Sequence, residues 1–344
     1  MRRHILILFL PFLFIGLSEA QDSLRFSGQL SSWLNWNSAN YFPLWAGLRY
    51  IPQINYEVTT NPGLHFDAEA SANIFGNAGL KPFDTISASG KIKPYRAWIR
   101  LYSEQFELRF GLQKINFGSA SILRPLMWFD QIDPRDPLQL TDGVWGVLAR
   151  YYFLNNTNIW LWGLYGNNES RGWETVPVNS KIPEFGGRVQ LPIPSGEVAL
   201  SYHHRVADSR DIGSGVPSLE KIPENRIGFD IKWDMKAGFW IEGSLTHKGK
   251  DLGLLSNQVI LNAGIDYTFG MGNGIYCAYE QLLATYGNTL LSFDKTTSFS
   301  LVSTNYPFGM FDRLGAIVFY NWDAHKIYTF LSWQRQFDKI MFYL

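Results

Sequence analysis

Residues 62–75 read PGLHFDAEASANIF, and after the Pro-Gly turn every second side chain is apolar. Leu64, Phe66, Ala68, Ala70, Ala72 and Ile74 share one phase, while His65, Asp67, Glu69, Ser71 and Asn73 share the other. Side chains alternate sides along an extended chain, so a period of two describes a strand with one apolar and one polar face. The length matters as much as the period. A tilted strand needs about 9–11 residues to cross a bilayer, whereas strands of soluble sheets mostly run to about 5–6.

The pattern recurs. Over 44–59, Leu44, Ala46, Leu48, Tyr50, Ile54, Tyr56 and Val58 oppose Arg49, Gln53, Asn55 and Glu57; over 105–113, Phe106, Leu108, Phe110 and Leu112 oppose Glu107, Arg109 and Gln113. Strands are expected near 23–36, 44–59, 62–75, 92–102, 105–117, 143–154, 157–166, 183–193, 196–206, 224–234, 238–248, 256–269, 273–283, 295–304, 311–321 and 326–343. That predicts an all-β, antiparallel up-and-down transmembrane barrel of about 16 strands, within 14–18, an even number suiting a single-chain bacterial barrel. The last segment is the least regular, because Asp338-Lys339 interrupts it.

Connection lengths alternate as well. Brief turns stand at 60–63, 103–104, 155–157, 194–196, 235–237 and 270–272; the intervening connections 37–43, 76–91, 118–142, 167–182, 207–223, 249–255 and 284–294 are mostly several times longer. Residues 305–310 are long for a turn and 322–325 short for a loop. Short periplasmic turns and long external loops are the habit of outer-membrane barrels, and they put both termini on the periplasmic side.

The N-terminus agrees. Met1-Arg2-Arg3-His4 is basic, Ile5–Leu17 is apolar, and Ser18-Glu19-Ala20 offers a cleavage site, so 1–20 is expected to be a signal peptide and 21–344 the barrel. After residue 20 no stretch is long and apolar enough for a membrane helix. Aromatic residues make up 16% of the chain, with 13 Trp, 17 Tyr and 25 Phe, which suits interfacial girdles. A soluble all-β lectin or propeller can also be rich in aromatics. The near-neutral balance, 30 Lys+Arg against 30 Asp+Glu, argues against a nucleic-acid partner. The lone Cys277 cannot form an intramolecular disulfide, and no cofactor or metal is implied by the His and Cys spacing.

An outward Arg or Lys at mid-membrane costs about 2–4 kcal/mol, so mid-strand charges are expected to line the lumen. The basic set is Arg49, Arg96, Arg100, Arg109, Arg150, Arg188, Arg205 and Arg226, and the acidic set is Asp67, Glu69, Asp230, Glu242, Asp266 and Glu280. Their order along the chain suggests a basic arc and an acidic arc. Across water these would set up a transverse field; in a plugged lumen they would pair as buried salt bridges. Lumen-phase aromatics are Trp33, Trp45, Trp98 and Trp240, rings that suit sugar faces when arginines stand beside them, or that pack a loop. The third external loop carries Arg124, Asp130, Asp133, Arg135 and Asp136 around an apolar centre, Ile122-Leu123 and Leu126-Met127-Trp128-Phe129. Such a loop either folds into the barrel, where its charges would constrict it, or caps the mouth. The Asp130, Asp133, Asp136 spacing is a weak signal for Ca²⁺.

The strand Arg109-x-Gly111-x-Gln113 running to Gly118, followed by a long Pro- and Asp-rich loop, resembles the corresponding region of porin-like and alginate-export-type barrels. That resemblance implies a passive channel, constricted by its third loop in the trimeric members, and leaves a homo-oligomer open. The terminal aromatic common in such barrels is replaced by Leu344, beside Phe342 and Tyr343. The expected function is passage of small polar solutes, anionic or saccharide. The alternatives are export or surface attachment of an acidic polysaccharide, and a hydrolase barrel. No catalytic residue is assigned: no Ser follows His203-His204 at the spacing of the barrel phospholipases, Ser201 preceding them instead, and His247 with Asp251 is a loose pairing. The expected partners are outer-membrane lipid and lipopolysaccharide, the barrel-assembly machinery and the solute.

Overall fold

A computed structural model describes residues 23–37, 40–61, 63–81, 85–132, 136, 138–213 and 215–344; the expected signal peptide, Asp133 and Arg135 lie outside the described residues. The strands are β1 (Ser23–Trp36), β2 (Leu44–Asn61), β3 (Leu64–Leu80), β4 (Ile86–Tyr102), β5 (Phe106–Gln113), β6 (Val144–Tyr152), β7 (Asn158–Leu164), β8 (Glu184–Ile193) and β9 (Gly196–Ala207). They continue as β10 (Ile222–Asp234), β11 (Gly238–Lys248), β12 (Asn257–Phe269), β13 (Ile275–Gly287), β14 (Lys295–Pro307), β15 (Asp312–Asn321), β16 (Lys326–Gln336) and β17 (Met341–Tyr343). Each pairs antiparallel with its neighbour in sequence, giving one 17-stranded up-and-down sheet.

The sheet is curled. Strands lie about 4.8 Å apart, so in a flat sheet β5 and β13 would be separated by roughly 38 Å. Instead, the loop leaving β5 donates hydrogen bonds to Glu242 of β11 and Glu280 of β13. Among the described residues no ladder joins β1 to β16 or β17.

Two expectations change in detail. The final predicted strand is split, because Asp338-Lys339 turns the chain and leaves the three-residue β17 beside β16. The second external connection is short, not long. Residues 75–80 and 86–91 pair across it, Gly76 with Gly90 and Ala78 with Ala88. Small residues hide the alternation that marks a strand, so that hairpin reads as loop. The register also slips near Ser71/Ala72, where a bulge restores the inward phase before Lys93.

Faces follow the sequence phase. Leu200, Ile227, Phe229, Ile241 and Leu261 are exposed on the outside, while Ser201, Asp230, Glu242 and Asn262 are buried within. Outside lies lipid. Leu200→Arg is therefore expected to lower folding stability in lipid vesicles by about 2–4 kcal/mol, whereas Gln53→Arg, facing the lumen, changes it little. Denaturant titration of refolded protein measures both.

Candidate functional site

The interior is divided into a packed half and an open half. Toward their outer ends the inward side chains of β6 and β7 are apolar: Val144, Leu148, Trp162 and Leu164 are all buried. They receive the apolar centre of the third loop, here residues 114–143, through Ile115, Phe117, Leu126, Trp128 and Phe129. Phe117 stacks on Trp162 at 5.6 Å, and Phe129 meets Trp162 at 5.4 Å and His203 at 5.0 Å. Full burial of each such side chain contributes about 1.5–3 kcal/mol.

A loop inside a barrel must also satisfy its backbone. Glu242 accepts the N–H groups of Ala120 at 2.8 Å and Leu126 at 2.7 Å; Glu280 accepts those of Ile122 at 2.8 Å and Leu123 at 2.7 Å. Gly118, at φ +109°, lets the chain pass so close to Glu242 that a Cβ would fall 2.5 Å from its carboxylate. Gly228 leaves the space on β10 into which Leu126 and Trp128 pack. The Trp128 indole donates to Ser244 at 2.9 Å. Of the two fates open to an apolar loop, this one folds inward.

Its charges are spent on itself. Arg124 donates to Asn116 and to the Phe117 carbonyl at 2.9 Å, and lies 3.4 Å from Asp130. Burial pushes the Asp130 carboxyl above its ordinary range, against the pull of Arg124 and Lys114. Asp136 accepts the Leu138 N–H at 3.0 Å, which commits it to a turn. A cavity of about 330 Å³ remains under the loop, lined in part by Lys114, Asn116, Ser121 and Gln139.

The fourth loop, residues 165–183, also enters the barrel. Glu174 pairs with Arg205 and Arg226, each at 3.1 Å, and Arg171 pairs with Glu184 at 2.8 Å. Glu224 accepts from Arg205 at 2.6 Å and Arg226 at 2.8 Å, and Lys248 stands 3.8 Å away. Arg188 and Asp230 pair at 2.5 Å. Trp173 joins the two loops by donating to the Arg124 carbonyl at 2.8 Å.

The opposed-arc picture is corrected here. Arg188, Arg205, Arg226, Asp230, Glu242 and Glu280 do face inward, but they are buried under the loops and paired or bonded. Sequence order missed the carboxylates that neutralise the arginines: Glu107, Glu174, Glu184 and Glu224. Trp240 faces inward but is 2% exposed, lying against Gly264 and donating to Asn262, so it presents no free ring. Asp266 accepts from Tyr276 at 3.3 Å.

The remaining sites cluster on β1–β6. Asp67 holds Arg100 by two bonds at 2.9 and 2.5 Å; Glu107 lies 2.9 Å from Arg109 and 3.5 Å from Arg150. The Trp98 ring centroid lies 4.6 Å from the Arg109 guanidinium and 5.7 Å from that of Arg100. Arg150 covers Trp160 at 3.9 Å, and Arg49 lies over Trp33 at 5.2 Å. Arg96 donates to the Thr141 carbonyl at 2.9 Å, and Lys93 reaches Asp142 at 2.6 Å, so both hold the end of the third loop. Glu69 accepts the Ser71 hydroxyl at 3.2 Å, and Trp45 contacts Phe42 with ring centroids 5.9 Å apart. Inward residues Arg25, Gln29, Glu57 and Lys91 are exposed, and Arg49, Gln53 and Asn55 half-buried.

The histidines are occupied structurally. His203 is fully buried and lies 3.2 Å from Glu184 and 3.1 Å from the Trp162 indole nitrogen. His247 faces Asn257, and Asp251 accepts the Gly253 N–H, so the loose His247/Asp251 pairing does not form.

No protein family model matches the sequence, and no curated protein matches it. Solved structures do. In-vitro folded OmpT, an outer membrane protein of Vibrio cholerae, in its trimer form, aligns at a TM-score of 0.54 and 12% identity over 93% of each chain. Salmonella typhi OmpF in complex with daunomycin aligns at 0.50 and 10% identity, over 90% of this chain and 97% of that one. A loop-deletion mutant of the same OmpT aligns at 0.52 and 13% identity, over 94% and 99%. The fold is that of outer-membrane porins. With its apolar outer belt, it places the protein in the bacterial outer membrane.

Breaking one member of the buried network leaves partners uncompensated. Glu224→Ala is expected to destabilise the barrel by roughly 3–5 kcal/mol, read as a lowered denaturation midpoint in detergent.

Proposed function

We propose that the chain is a passive channel for small polar solutes, with a preference for anions. One observation carries the reading. The lumen-facing side of β1–β4 stays open to water while the opposite half is packed. Along that lane Asp67 is neutralised by Arg100 and Asp142 by Lys93. Among the described residues Arg25, Arg49 and Lys91 have no ion-pair partner, and Arg96 bonds only to carbonyls. The acidic residues left over are Glu57 and Glu69, so the lane carries a basic excess. Charge lining a narrow aqueous passage selects ions of opposite sign.

The Trp98 ring beside Arg100 and Arg109 adds a place where a flat, ring-bearing acid such as an acidic sugar would dwell. A long polysaccharide fits less well, because the third and fourth loops fill half the interior and are fastened to each other.

In planar bilayers under a KCl gradient, purified protein is expected to show a reversal potential favouring chloride. Arg49→Glu with Lys91→Glu should move it toward potassium. Silent membranes, or a selectivity unmoved by the two charge reversals, would overturn the proposal. Glu242→Ala with Glu280→Ala removes the acceptors of four loop N–H groups, so conductance is expected to rise and protease to cut at Arg124.

A further inference from the structure

The cavity beneath the third loop is lined by side chains that the packing of that loop leaves over. Past β5 the alternation of the strand continues. Ile115 and Phe117 are buried in the apolar core, whereas Lys114 and Asn116, half-buried, line the cavity. Arg124 donates to the Asn116 side-chain oxygen, so the amide nitrogen is the end that Asn116 presents. Ser121 and Gln139 line the same space from exposed positions, and Ile122 and Ile132 form its apolar wall. Among the described residues, the Lys114 ammonium, the Asn116 amide nitrogen, the Ser121 hydroxyl and the Gln139 amide have no hydrogen-bond or ion-pair partner.

The other charges around the cavity are already engaged. Arg124 also holds the Phe117 carbonyl and Asp130, and Arg96 holds the Tyr95 and Thr141 carbonyls. Glu242, behind Gly118, accepts the Ala120 and Leu126 N–H groups. Lys114 is therefore the one free cation on the cavity among the described residues. Partly withdrawn from water, it is repelled by Arg96 and Arg124 and attracted by Asp130. A carboxylate entering the cavity meets an ammonium short of counter-charge.

Gln139 is an independent pointer to a ligand. Its backbone lies at φ +45°, the left-handed region that favours glycine and disfavours residues with a Cβ. The turn holds it there, its N–H donating to the Asp136 carbonyl at 3.0 Å while Asp136 accepts the Leu138 N–H. A strained position that carries a long amide with nothing in the protein to bond gives that side chain another use.

Size and chemistry then define the ligand. At roughly 30 Å³ per water, a cavity of about 330 Å³ holds about eleven waters, or a six-carbon sugar acid with a few waters beside it. One ammonium matches one carboxylate. Two amides and a hydroxyl match sugar hydroxyls, which both donate and accept, and the isoleucines match a C–H face. An inorganic dianion would leave most of the space unfilled and one of its charges unpaired.

We propose that Lys114, Asn116, Ser121 and Gln139 form a binding site for a small hydroxylated monocarboxylate of the hexuronic acid class. The site belongs to the third loop and stands whether or not the lane along β1–β4 conducts. Isothermal titration calorimetry of the whole mature barrel in detergent tests it, with galacturonate, galactose, acetate and inorganic phosphate as separate probes. Galacturonate is expected to bind about tenfold more tightly than each of the others, reflecting one charge-assisted bond added to its hydroxyl contacts. Lys114→Met should remove that margin. Gln139→Gly should weaken galacturonate binding several-fold with the denaturation midpoint unchanged or raised, a combination that a purely structural glutamine does not produce. Absence of galacturonate binding, any other probe bound as tightly, or an undiminished margin in Lys114→Met would each overturn the proposal. Should that variant fail to fold, the ranking of the probes on the unaltered protein decides. Bilayer current is measured separately, so silent membranes with galacturonate bound would sink the channel reading and leave the site standing.

Discussion

Four backbone N–H groups of one loop, deep inside a barrel, need acceptors, and two glutamates supply them. Glu242 and Glu280 stand on strands that in a flat sheet would be far from β5, so their bonds tie opposite sides of the wall together. No ion pair to either is recorded among the described residues, and the carboxylates spend their charge on amides. Unsatisfied buried amides cost far more than the bonds gain, which makes the arrangement all-or-none. Once the loop is seated, Leu126 and Trp128 pack on Gly228, and Trp173 of the fourth loop finds the Arg124 carbonyl. The Glu174–Arg205–Glu224–Arg226 cluster then closes over the second insertion. Everything that distinguishes the two halves of the lumen descends from that seating.

The wall was legible because its physics is local. Alternation at Leu64–Ile74 and at Phe106–Leu112 reports lipid on one side, and every strand so marked is present. Where side chains are small, as in Gly76 to Gly79 against Ser87 to Gly90, the period carries no signal and the strand reads as loop. The lumen was only half legible. Arg188 and Asp230 both lie on the inner side of the wall, but their bond to each other joins strands two apart, which no linear order displays. One clue did exist. Over Val144–Leu148 and Trp162–Leu164, β6 and β7 carry no polar side chain on either phase, with Val144, Leu148 and Trp162 inward and Trp145 and Val147 outward. A stretch of membrane strand with no polar side chain on its inner face has something dry against it, and the apolar centre of the third loop is the available segment.

The divided interior separates two kinds of demand on the sequence. Changes among β6–β13 must respect packing, amide acceptors and ion pairs at once, so few are neutral. Along β1–β4, side chains such as Ser27, Gln29, Gln53 and Asn55 border water and support little else. On the channel reading proposed above, their identity would set the field that a passing solute meets, yet it bears lightly on whether the protein holds together. A chain built this way can change the charge along one flank of its interior by substitutions there, its keel untouched.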